Sequence, residues 1–182
     1  MSDSLPGRSP QVILGIDPGT MVLGYGAIAL HGRQPVLLAA GTVRASKHMG
    51  PSQRLGRIRQ GLDEVIGQLQ PHIVVVERVF ASENVASALR IGEARGVALS
   101  SAALSGAEVL EFTPSEVKKT LTGNGSATKA AVARCVAMEL GQSQLLEGLR
   151  HDATDGLALA LTFALRKHLE AMGLTPGMRR RP

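Results

Sequence analysis

Residues 11–20 read QVILGIDPGT. A short apolar run ends in Asp17-Pro18-Gly19, a strong turn signal. The stretch predicts a buried strand that delivers an acid to a tight turn. Residues 22–30, VLGYGAIAL, and 35–45, PVLLAAGTVRA, read as the next two strands, and connections this short predict an antiparallel meander. Further out, Leu55, Ile58, Leu62, Val65, Ile66 and Leu69 recur at helical spacing with charges between them, and Pro71 ends that helix. Residues 72–76, HIVVV, form a largely β-branched run after a helix, as expected of a central parallel strand buried on both faces.

Residues 84–104 predict a second helix rich in small and apolar side chains, with little face left for water. Residues 108–112, EVLEF, read as a fifth strand, and helices are expected at about 114–121, 127–140 and 152–171. The order is three strands, helix, strand, helix, strand, helices. It predicts an α/β fold with a five-stranded mixed sheet, three strands antiparallel and the rest parallel, flanked by helices.

The chain has 182 residues, 44% of them hydrophobic, enough for one domain with a full core. That domain is expected over residues 11–172. A polar, Ser- and Pro-rich arm at 1–10 precedes it, and a basic, flexible tail at 173–182 carrying Arg179-Arg180-Arg181 follows it. A single cysteine, Cys135, excludes an internal disulfide and reads as a small core residue among Val132, Val136 and Met138. The N-terminus lacks a hydrophobic signal core and no apolar run reaches membrane-spanning length, so a cytoplasmic protein without a membrane partner is expected. A net charge of +5 and a pI of about 10 point to a polyanionic partner.

Four acids stand in unusual places. Asp17 and Glu77 close apolar strands, and in open α/β sheets ligand sites lie beyond the carboxyl ends of the strands. Asp152 and Asp155 are three apart at the start of the last helix and share one face, while Leu157, Ala158, Leu161 and Leu165 carry its buried stripe. Singly, each acid has an ordinary explanation: turn chemistry, helix-dipole compensation, or an ion pair with Arg78. Converging, they repel: a like-charged pair at ~4 Å costs about 4 kcal/mol at an effective dielectric of 20. A proton or a cation must relieve that, and all-oxygen donors favour Mg2+ or Mn2+. Two such ions suit in-line attack of water on a phosphodiester.

The blocks GIDPGT at 15–20, ERVF at 77–80, ARGVA at 94–98, GSATK at 125–129 and DATDGLALA at 152–160 resemble, in the same order, those of the RuvC family of bacterial Holliday-junction resolvases. The resemblance runs from about residue 12 to 165 and implies a ribonuclease H-like fold. It implies a homodimeric endonuclease that cuts four-way junction DNA by paired nicks in recombination and repair, using Mg2+ (two ions per subunit, replaceable by Mn2+). By position it makes Asp17, Glu77, Asp152 and Asp155 the metal-binding carboxylates, with His151 the alternative to Asp152 at the third position. Lys129 matches a lysine important for cleavage, and Ser126 reads as the N-cap of its helix, in a Gly-rich turn able to offer N–H groups to phosphate. Lys118 matches a DNA-contacting position. Phe80 matches an aromatic that stacks on an unpaired base. Arg78 is expected either on phosphate or paired with an acid. The helix at 84–104 corresponds to the family's dimer helix, and the family's partners are the RuvA–RuvB branch-migration proteins.

Overall fold

A computed structural model describes residues 9–78, 85–142 and 151–174. Strands β1 (Gln11–Asp17), β2 (Val22–His31), β3 (Gln34–Arg44), β4 (Ile73–Glu77) and β5 (Glu108–Phe112) form one sheet in the order β3-β2-β1-β4-β5. The first three strands are an antiparallel meander, and β4 and β5 add to β1 in parallel. The helices are α1 (Pro51–Leu69), α2 (Val85–Leu104), α3 (Pro114–Thr122), α4 (Lys129–Leu140) and α5 (His151–Ala171). The mixed α/β sheet expected from the sequence is the one observed, with element ends shifted by one or two residues. None of the described helices is long and apolar enough to cross a membrane.

Strand alternation divides the core into two layers. Leu14, Ile16, Val74 and Val76 face α1 and α2, meeting Ile58, Leu62, Ile66, Ala98 and Ala102. Ile13, Ile28, Val75, Leu110 and Phe112 face the other way, onto Val117 of α3, Val132 and Val136 of α4, and the length of α5. The expected stripe on α5 is too narrow: Ala153, Thr154 and every residue from Gly156 to Ala164 are buried. The reason is that α5 lies unusually close to the sheet. Gly15, Gly24 and Gly26 on the strands and Gly156 on the helix leave backbone against backbone, where a Cβ on any of them would collide.

Helix ends follow local chemistry. Thr113 caps α3, its Oγ1 accepting from Glu116 N while Glu116 Oε2 accepts from Thr113 N at 2.8 Å; Pro114 fills the first turn. Ser126 does not cap α4. That role falls to Thr128, whose extended backbone places Oγ1 to accept from Ala131 N, while Ser126 N donates to Asn124 Oδ1 in the preceding turn. Ala127 is tucked into the core instead of opening the helix. Cys135 is half-buried.

Candidate active site

The register Ile16↔Val76 makes Asp17 and Glu77 the next rungs of two adjacent parallel strands. Ile16 and Val76 point to the α1/α2 layer, so alternation turns Asp17 and Glu77 to the opposite face, toward α5. There the carboxyl of Asp17 donates a hydrogen bond to Glu77, and Asp155 of α5 adds its charge to both. Lys129, the first residue of α4, closes the cluster: its Nζ donates to Asp155 Oδ2 at 2.8 Å.

The electrostatics follow from this crowding. Burial above all, then the charges of Glu77 and Asp155, pushes the Asp17 carboxyl up from 3.8 to about 8; the Lys129 ammonium offsets part of it. Glu77 is also raised, chiefly by burial, with Asp155 adding and the Asp17 hydrogen bond, Lys129 and Lys118 opposing. Lys129 in turn is raised, first by its hydrogen bond to Asp155. One shared proton and the Lys129 ammonium thus offset part of the negative charge of the three acids.

The remaining predicted residues are placed as follows. Asp152 is half-buried one turn before Asp155, with its backbone carbonyl seated over Gly24, and His151 beside it is exposed. Among the described residues no three His, Cys, Asp or Glu side chains are gathered around one point as metal ligands, and Asp17, Glu77 and Asp155 are linked through their mutual field. The donor set fits a hard divalent cation: partly desolvated carboxylates, no thiol, and charge repulsion that only positive charge relieves. Lys118 on α3 reaches the cluster through its charge on Glu77. Arg78 Nη2 meets Glu116 Oε2 at 3.5 Å. Phe80 lies outside the described residues.

Two features of the site escaped sequence reasoning. Glu116 takes Arg78 and Arg166 on its two oxygens while capping α3, and Arg166 stacks over Phe112, so the ends of β4 and β5 are tied to α3 and α5 next to Glu77. The Thr-Pro-Ser-Glu run at 113–116 is a capping-box signature that marks the first half of this brace. The glycines under α5 are the second feature, and glycines within strands at 15, 24 and 26 are the signal for close backbone approach.

Comparison with known proteins agrees with the geometry. A curated relative from Chromohalobacter salexigens, named crossover junction endodeoxyribonuclease RuvC, is 39% identical over 173 residues, 94% of this chain and 90% of its own. The protein of that name from an Anaeromyxobacter strain is 42% identical over 156 residues, 86% of this chain and 74% of its own. Thermus thermophilus RuvC, solved in complex with a Holliday junction substrate, superposes with a TM-score of 0.80 at 33% identity over 90% of this chain and 97% of that one. The yeast mitochondrial Holliday junction resolvase, at 12% identity and a TM-score of 0.69, shares the fold. Residues 13–163 match the family described as crossover junction endodeoxyribonuclease RuvC, and the chain belongs to that family.

Proposed function

We propose that this chain resolves four-way DNA junctions by paired, symmetric phosphodiester hydrolysis, leaving 5′-phosphate and 3′-hydroxyl ends. The observation that carries the reading is that Asp17, Glu77 and Asp155 act on one another through their charges, with Lys129 hydrogen-bonded to Asp155, at the carboxyl ends of β1 and β4 in a chain of this family. Asp17, Glu77 and Asp155, with Asp152 or His151 completing the set, would hold Mg2+ or Mn2+. When bound, two such ions supply Lewis acidity toward the attacking water and the leaving oxygen. Lys129 holds Asp155 oriented and, being largely exposed, presents its ammonium to the incoming phosphate. Lys118 adds positive potential on the same face, and the turn of Ser126 lies just ahead of the α4 N-terminus. Arg78 and Phe80 stand one and three residues after Glu77 in the sequence, and the family resemblance assigns them contacts to backbone and base at the crossover.

Paired cutting requires two sites related by a two-fold axis. Helix α2 supports a homodimer, because Val85, Leu89 and Leu104 are exposed apolar side chains on it. The RuvA–RuvB partnership rests on the family resemblance. The test is the product map of a synthetic four-way junction in Mg2+. Symmetric, ligatable nicks are expected, with Asp155→Asn abolishing them while junction binding in EDTA survives. Cleavage retained by Asp155→Asn, or scattered nicks on plain duplex, would overturn the reading.

A further inference from the structure

Between Asp17 and Asp63 the chain contains no Asp or Glu, yet it carries Arg33, Arg44, Lys47, Arg54, Arg57 and Arg59. The fold sorts these cations. Arg33 sits in the β2–β3 hairpin, at the far end of the sheet from Asp17. Arg59 pairs with Asp63. Arg54 Nη2 donates to the carbonyl of Lys47 at 2.8 Å, so this guanidinium shapes the loop between β3 and α1.

The other three lie together at the active-site end. Arg44 pairs with Val22 in the β2–β3 ladder, Asp17 with Gly24 in β1–β2, and Ala45 N donates to Met21 O at 3.0 Å. The loop carrying Lys47 therefore rests beside the turn that follows Asp17. Arg44 and Lys47 are exposed. Arg57 is half-buried and, with Arg44, Tyr25 and Thr42, lines an open polar cleft of about 370 Å³. One acid, Glu64, also lines it, two helical turns beyond Arg57.

We propose that Arg44, Lys47 and Arg57 form a phosphate-binding strip for the DNA arm that leaves the cleavage site over the β3 edge. The inference rests on the junction-cleaving function proposed above. Strand spacing of ~4.8 Å puts β3 roughly 10 Å from Asp17. At ~3.4 Å per nucleotide, that is about three nucleotides from the scissile phosphate. Cations without acids between them, on one rim and beside a cleft, suit a backbone rather than bases: they hold an arm in register and read no sequence.

The strip is tested through the salt dependence of binding to a synthetic four-way junction in EDTA. Replacing all three with Gln should lower the slope of log K against log salt by about 2.7, so that between 50 and 200 mM salt the parent protein loses about 40-fold more affinity than the variant. Arg44→Gln/Lys47→Gln leaves the half-buried Arg57 in place and should lower the slope by about 1.8, a differential of about 12-fold. Arg33→Gln, which removes one positive charge at the far end of the sheet, should leave the slope unchanged where a strip residue would lower it by about 0.9. Unaltered slopes in the double variant, or an equal effect per charge from Arg33→Gln, would overturn the strip. A parent protein that neither binds nor cuts the junction would instead overturn the function on which it rests.

Discussion

Gly156 follows Asp155 inside α5, and replacing it with Ala sets two physical effects against each other. Helix propensity favours Ala over Gly by about 1 kcal/mol in a helix interior. Packing opposes it. A Cβ at 156 would stand 2.5 Å from Gly26 N and 2.7 Å from Tyr25 Cα, both backbone atoms of β2, where ordinary contact starts at 3.4 Å. The shortfall is 0.9 Å against a central strand that has no rotamer with which to yield. Relief comes from lifting α5, and a radial gap of 0.5–1 Å forfeits roughly a quarter to a half of each dispersion contact along the buried helix. Overpacking of this kind costs about 3 kcal/mol at the upper end of its range, which leaves a net loss of about 2 kcal/mol after the propensity gain. For a chain of this size that is a fall in Tm of roughly 4–8 °C. Asp155 moves with the helix, away from Asp17 and Glu77, and misplacement by about 1 Å is worth roughly 100-fold in rate. Thermal melting and single-turnover cleavage of a four-way junction at saturating protein read the two effects. Gly56→Ala is the control, since its Cβ would meet nothing within 4 Å on the surface of α1. That variant should melt slightly higher and cut normally. If Gly156→Ala also melts higher, or cuts at the parent rate, the close seating of α5 does not position Asp155.

Two further outcomes follow from the raised carboxyl of Asp17. The folded chain keeps a proton there that the unfolded chain releases above 3.8, so metal-free stability falls as pH rises from about 4 to about 8. Asp17→Asn removes that slope: in EDTA it should melt above the parent at pH 8, with the gap closing toward pH 4, and equal melting at pH 8 would contradict the burial argument. A divalent cation must displace the same proton, so Mn2+ affinity of the DNA-free protein should climb up to about tenfold per pH unit below pH 8 and level off above it. Calorimetry in buffers of different ionisation enthalpy should show proton release on binding, and its absence would sink the assignment of Asp17 as a ligand.

The sheet was legible because each strand is a short, mostly apolar run with its own stop, and β4 is also largely β-branched. Asp17 and Glu77 stood out as acids ending such runs. What the sequence left open depends on contacts between distant segments. Ser126 and Thr128 are both competent caps, and the choice falls to Thr128 because Ala127 between them is drawn into the core. The buried stripe on α5 was read too narrowly because periodicity sees only the helix's own residues. The strand glycines that let the helix sink lie more than a hundred positions away.

The same seating bears on which acid of α5 joins the cluster. Spacing of three residues puts Asp152 and Asp155 on one face. The carbonyl of Asp152, however, is seated over Gly24 of β2, and β2 flanks β1 on the side away from β4. Asp152 therefore starts about one strand spacing, ~4.8 Å, further from Glu77 than a residue over β1 would. Asp155, one turn on, is the acid whose charge reaches both Asp17 and Glu77 and which Lys129 holds. Two acids on one helical face are thus not two acids at one point. The crossing of α5 over the sheet sets them over different strands.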